Sequence, residues 1–249
     1  MKQKTDMKKV KETAQMLLCI NIGKLELSPA LVNHPYTNSA FVAVPKTDGK
    51  HGEFDFINIL ESSKNLKIWR EYICKIINSA KSPEIIYYLI AKPYRLTFMK
   101  YTASHLSGED YAKLLANAWI TSEAPNRDVN VSKAELVRMF KAAEPSLLMT
   151  EEEIHQLSEL NNPVTIYRGV TDYNADDINA LSWTLNPEKA LWFSKRFNSE
   201  GTVYEAQIDK THIIALFNTR DESEIIVEPK YLENISEYED QVFGLTITH

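Results

Sequence analysis

The chain has 249 residues, 44% of them apolar and 25% charged, with a formal net charge of −6. Seven glycines and ten prolines exclude a collagen-like or low-complexity chain, and the apolar and aromatic content excludes a wholly disordered one. The longest apolar run, Ile85 to Ala91, falls far short of the roughly 20 residues of a membrane span.

The basic N-terminus is not followed by the apolar segment and small-residue cleavage site of a secretory signal. Residues 5–19 carry a helical pattern, with Met7, Val10, Ala14, Leu17 and Leu18 recurring at three- and four-residue spacing. Residues 27–62 hold Pro29, Pro35, Pro45, Gly49 and Gly52 and read as loops with short strands. Residues 64–79 predict a helix with a wide apolar stripe from Leu66 to Ile77. Residues 83–103 fit helix or strand, with a break at Pro93. Ser107 to Asp110 reads as a helix start, and Tyr111, Leu114, Leu115, Ala118 and Trp119 continue its stripe. Ser132 with Glu135 and Thr150 with Glu153 each fit a capping box, which predicts helices over about 133–143 and 151–160.

After Pro163 the period changes. Strands are predicted over Val164–Val170, Leu181–Leu185, Thr202–Ile208, Ile213–Phe217, Glu224–Val227 and Val242–Ile247. Asn186-Pro187 is a helix start, cap then proline, for a helix running to about Phe197. A helical part followed by a strand-rich part predicts an α+β fold. The expected organisation is a helical and mixed N-terminal region, 1–106, and a second domain, 107–249. That domain comprises a helical lead-in, 107–160, and a β core, 161–249.

Charge is uneven. Residues 1–110 hold 16 basic and 11 acidic side chains; residues 111–249 hold 12 and 23. The acidic half argues against tight nonspecific binding of a phosphate backbone there, whereas the basic half points weakly to an acidic partner or RNA. Cys19 and Cys74 sit in apolar helical patterns and are expected to be small buried hydrophobes. Two cysteines make no disulfide framework, so the cytoplasm is the expected compartment. The six histidines show no metal-ligand spacing, and neither a phosphate-binding loop nor a GxGxxG pattern occurs.

Three pieces of the second half carry chemistry together: Tyr167-Arg168-Gly169, Ser182-Trp183-Thr184 and Glu222-Ser223-Glu224. On an extended strand Glu222 and Glu224 would share a face about 7 Å apart. Two like charges aimed at one place favour a cation between them. Arg168 offers a fork suited to phosphate oxygens, and Gly169 would let a ligand approach the backbone.

The ordered set resembles the mono-ADP-ribosyltransferases of the Arg-Ser-Glu class, of the toxin and phage or prophage modifier type. Tyr167-Arg168-Gly169 matches the aromatic-Arg first strand, and Glu222-x-Glu224 the Gln/Glu-x-Glu strand. Ser182-Trp183-Thr184 matches the Ser-Thr-Ser strand with Trp in the middle and Thr at the end. The likeness spans about 163–248 and includes the helix Pro187 to Phe193. It implies an ADP-ribosyltransferase-like mixed β core that uses NAD as co-substrate, without metal. Glu224 would stabilise the oxocarbenium-like ribose, Ser182 would orient Glu224 with help from Thr184, and Arg168 would hold NAD. Tyr167 and Gly169 would flank the cofactor, with Gly169's neighbourhood binding the carboxamide. Trp183, Trp192, Phe193 and Tyr173 are candidates to stack on nicotinamide, each weighed against a place in the core. Glu222 points to protein arginine as acceptor, with an RNA or DNA base as the alternative; Arg220 lies beside these acids. An NAD glycohydrolase and a non-enzymatic interaction domain are the rival readings. The resemblance also implies an intracellular toxin or phage-defence setting, with an antitoxin or inhibitory partner and no membrane.

Overall fold

The computed structural model describes residues 4–26, 28–46, 52–174, 177–198, 200–219 and 221–239. The chain mixes helices with antiparallel sheets and divides into two compact units, 1–131 and 132–249. The expected strand at Val242–Ile247 and the residue Arg220 lie outside the described residues.

The first unit opens with α1 (Met7–Leu18). Five strands follow: β1 (Gly23–Leu25), β2 (Ser28–His34), β3 (Thr37–Ser39), β4 (Phe41–Pro45) and β5 (Phe54–Asn58). They form a three-stranded sheet, β1-β2-β3, and the pair β4-β5. The helices α2 (Ser63–Ser79), α3 (Pro83–Tyr87), α4 (Arg95–Thr102) and α5 (Gly108–Ile120) complete the unit. Asp6, Ser62 and Ser107 cap α1, α2 and α5 by accepting from the amides of Lys9, Asn65 and Asp110, each worth ~1 kcal/mol. The ambiguous stretch 83–103 is helical, and Pro93 sits in the first turn of a 3₁₀ segment, where its missing N–H costs nothing.

The stripes meet in one core. Val10, Ala14, Leu17 and Leu18 of α1 are buried, as are Trp69, Ile73 and Ile77 of α2 and Leu114, Leu115, Ala118 and Trp119 of α5. Each such large side chain contributes roughly 1.5–3 kcal/mol. Because α5 packs on α3 and α4, it belongs to this unit and not to the expected lead-in of the second domain. The cysteines also depart from expectation. Cys19 is exposed at the C-cap of α1, and Cys74 is half-buried, accepting from Gln15 and Asn78.

The second unit contains α6 (Lys133–Ala142), α7 (Pro145–Leu148) and α8 (Glu151–Glu159). Next come β6 (Val164–Val170), β7 (Ser182–Thr184) and α9 (Pro187–Ser194). The remaining strands are β8 (Thr202–Ile208), β9 (Ile213–Phe217), β10 (Glu224–Val227) and β11 (Glu233–Glu237). Both capping boxes form. The six strands make one antiparallel sheet, ordered β11-β8-β6-β7-β10-β9. β6 and β8 pair along their whole length, from Val164 opposite Ile208 to Val170 opposite Thr202. β6 meets β7 only at Tyr167 opposite Thr184. In β9 and β10 successive residues Ala215–Phe217 and Ile225–Val227 are all buried, so both faces of these strands are covered.

Two glycines hold α9 against the sheet. A Cβ on Gly169 would lie 2.0 Å from the carbonyl oxygen of Ala190 in α9, and one on Gly201 would lie 1.9 Å from that of Val170 in β6 and 2.5 Å from that of Ser194 in α9. The backbone of α9 therefore occupies the side of Gly169 on which a side chain would stand, which is a packing reason for glycine beside the ligand reason expected from sequence. α9 also ends earlier than expected, at Ser194, and Phe197 and Asn198 beyond it adopt positive φ, 60° and 55°.

Candidate active site

The three sequence motifs meet at the centre of the sheet. β10 lies beside β7 with Glu224 opposite Thr184 and Ile226 opposite Ser182. Residues two apart on a strand share a face, which puts the side chains of Ser182 and Glu224 on the same side. The Ser182 hydroxyl donates to Glu224 Oε1 at 2.5 Å. On its other flank the Ser182 carbonyl accepts from Arg168 Nη1 at 2.6 Å. Arg168, Ser182 and Glu224 thus form one hydrogen-bonded chain across β6, β7 and β10.

Arg168 is held more tightly than a ligand-binding arginine met from sequence would suggest. Its Nε donates to the Asp177 carbonyl at 3.0 Å, and its Nη2 lies 3.5 Å from Asp177 Oδ2. The side chain is 10% exposed. The protein's own carbonyls and a carboxylate occupy much of the fork expected to meet NAD phosphates.

Glu222 is not on the strand. β10 begins at Glu224, and Ser223 and Asp221 adopt positive φ, 44° and 55°. The period-two argument that placed the two glutamates on one face therefore stops at Glu224. The Thr184 hydroxyl donates to the Glu222 carbonyl at 2.6 Å, and the Leu185 amide donates to the Ser223 carbonyl at 3.1 Å. Thr184 is 5% exposed and anchors the loop rather than lining a cleft. The start of that loop is pinned from α8. Glu153 caps its own helix with Oε2 and accepts from the Asn218 amide with Oε1 at 2.7 Å. Asn218 also donates to Gln156 at 2.5 Å.

The aromatic candidates divide. Trp183 is 2% exposed, and its indole N–H donates to the Ala180 carbonyl at 3.0 Å. Both its faces are enclosed, so it is a core side chain and cannot stack on a cofactor. Trp192 and Tyr173 are 57% and 71% exposed, and Phe193 is half-buried. They gather with Phe197, which sequence reasoning did not single out. The Trp192 and Phe193 rings meet edge-on at 5.0 Å, as do Tyr173 and Phe197 at 6.1 Å. The Arg196 guanidinium lies over Trp192, Phe193 and Phe197 at 5.2, 5.6 and 5.1 Å. An Arg at the fourth position after Trp192, just past a helix end, was the available signal.

Tyr167, half-buried opposite Thr184, packs its ring edge-on to Tyr238 at 5.1 Å. Burial, and then the nearby Glu205 and Tyr238, push its hydroxyl above the usual tyrosine pKa. Beside Tyr238 a groove of about 650 Å³ runs between α9 and the β8–β11 edge, lined by Pro187, Leu191 and Val203 with Glu188 and Glu237.

Sequence reasoning also missed Asp177 and Lys133. Lys133, at the start of α6, pairs with Asp177 Oδ1 and donates to the Asn179 carbonyl at 2.8 Å. Asp177 sits in a connection without periodicity, so only the second acidic residue of Asp176-Asp177 hinted at it. Among the described residues no group of three His, Cys, Asp or Glu side chains gathers as a metal site, and no helix is long and apolar enough to cross a membrane.

No family model, no curated protein and no solved structure matches this chain.

Proposed function

We propose that the unit from Ser132 onward is a mono-ADP-ribosyltransferase that transfers ADP-ribose from NAD to a macromolecular acceptor, protein arginine first. The observation that carries this reading is the chain Arg168–Ser182–Glu224, three separated motifs joined by hydrogen bonds of 2.6 and 2.5 Å.

The chemistry follows from the charge. Breaking the bond between ribose C1′ and nicotinamide leaves an oxocarbenium-like sugar. Glu224, oriented by the Ser182 hydroxyl, would hydrogen-bond the ribose 2′-hydroxyl and stabilise the developing positive charge. Charge fixed in advance is commonly the largest catalytic contribution. The exposed rings of Trp192, Tyr173 and Phe197 offer planar surfaces for a base or nicotinamide, and Arg196 between them offers a cation for a phosphate. Glu222, carried on the pinned loop before β10, would receive the acceptor guanidinium. The intracellular toxin or phage-defence setting, and an antitoxin partner, belong to the same proposal and rest on the resemblance alone.

The test is labelled NAD incubated with a cell lysate, with products split into protein and nucleic-acid fractions. Label in protein that hydroxylamine removes, and that Glu224→Gln abolishes, is the expected result. Glu224-dependent label in nucleic acid would replace the acceptor and keep the chemistry. No label, with NAD intact, would overturn the reading.

A further inference from the structure

We propose that Asp177 is the positioning residue that fixes Arg168, and through it the Ser182–Glu224 pair, an inference that rests on the function proposed above. An arginine on a strand has four rotatable bonds and several comparable rotamers. Asp177 removes that freedom by holding one edge of the guanidinium twice. Its carbonyl accepts from Nε at 3.0 Å, and its Oδ2 lies 3.5 Å from Nη2. With that edge held, Nη1 on the opposite edge reaches the Ser182 carbonyl at 2.6 Å. The peptide that carries Ser182 is thereby fixed, and its hydroxyl meets Glu224.

Charge argues the same way. Asp177 is 7% exposed, and a buried carboxylate is strongly unfavourable without compensation. Here it is compensated twice, by Arg168 and by Lys133, whose ammonium also ties down the Asn179 carbonyl. Lys133 enters on a separate element, α6, whose capping box fixes its start at Ser132. A loop that only joined β6 to β7 would need neither a buried acid nor two cations. The arrangement holds a guanidinium in one plane, with Lys133 on the other carboxylate oxygen of Asp177.

Arginine side-chain nitrogen NMR tests this directly, with the Arg168 signals identified by their loss in Arg168→Lys. The wild type is expected to show slow rotation of the Arg168 guanidinium and distinct Nη signals. Asp177→Asn, which keeps the main-chain bond to Nε and removes only the carboxylate charge facing Nη2, should speed their exchange, and Asp177→Glu should restore part of the restraint. In the same samples, Asp177→Asn should lower kcat for nicotinamide release at least tenfold while KM for NAD changes less than threefold, with the Glu variant intermediate. An Arg168 that stays restrained in Asp177→Asn overturns the inference. So does a loss of thermal stability with kcat per folded molecule unchanged, or a gain in NAD affinity and turnover, which would make Asp177 a plug. If the wild type releases no nicotinamide, the proposed function fails, while the NMR comparison still decides whether Asp177 holds Arg168.

Discussion

The Ser182 hydroxyl and the Glu224 carboxylate are joined across β7 and β10 at 2.5 Å, diagonal neighbours on one face of the sheet. A hydrogen bond to a charged group contributes about 1.5–3 kcal/mol. If it orients Glu224 for the transition state, Ser182→Ala should lower kcat for NAD cleavage roughly ten- to hundredfold. Steady-state kinetics, with circular dichroism to confirm the fold, checks this. Thr184→Ala should instead loosen the Glu222 loop, because the Thr184 hydroxyl bonds the Glu222 carbonyl and not a carboxylate.

Gly169→Ala should destabilise the second unit by about 3 kcal/mol through overpacking. Its new methyl would lie 2.0 Å from the Ala190 carbonyl oxygen and 2.7 Å from the Ser194 nitrogen, and both are backbone atoms that cannot swing aside. Urea unfolding should show a lower midpoint. An unchanged midpoint with a raised KM for NAD would return Gly169 to the ligand role its sequence context suggested.

The tryptophans should separate stability from binding. Trp183→Ala removes a side chain that is 2% exposed and should cost about 3–5 kcal/mol. Trp192→Ala removes one that is 57% exposed and should leave stability within about 0.5 kcal/mol. Under the proposed function it should raise KM for NAD severalfold. Thermal melts and NAD titration of both variants test the assignment.

His34 should make the first unit acid-sensitive. Its ring is fully buried, its Nδ1 accepts from the Tyr36 amide at 3.1 Å, and it packs edge-on against Trp69. Burial first, and then the charge of Arg70, lower its pKa from 6.5 to about 4. The unfolded chain takes up this proton near 6.5, so between 6.5 and 4 it binds more protons than the fold does. Stability is therefore full above 6.5 and falls by about 3 kcal/mol as the pH drops to about 4. In His34→Asn, whose Oδ1 can accept from the same amide, the slope between pH 6.5 and 5 should disappear. That window lies above most carboxylate titration.

What the sequence revealed was local. Ser132 with Glu135 and Thr150 with Glu153 announced their helices, because a capping box is closed within four residues. The strands Val164–Val170 and Thr202–Ile208 matched their periodic runs to the residue. β11 was missed because all five of its residues, Glu233–Glu237, are exposed and leave no alternating pattern. The pairing of β7 with β10, which brings Ser182 to Glu224, joins residues 42 apart, and no periodicity encodes it. Gly169 was ambiguous because close approach of a ligand and close packing of a helix select the same residue, and the position of α9 supplies the second reason. Asp177 stayed hidden because a buried ion pair is defined by its partners, Arg168 and Lys133, and not by its own neighbours in the chain.

The proposed function requires that Glu224 act on NAD. The most direct measurement is nicotinamide release from NAD by the purified chain, wild type beside Glu224→Gln, with both proteins shown to be folded. Release by the wild type and a loss of a hundredfold or more in the variant are expected, since the amide removes the charge that would face the ribose. Equal release by both proteins, or none by the wild type in the presence of lysate acceptors, would contradict it.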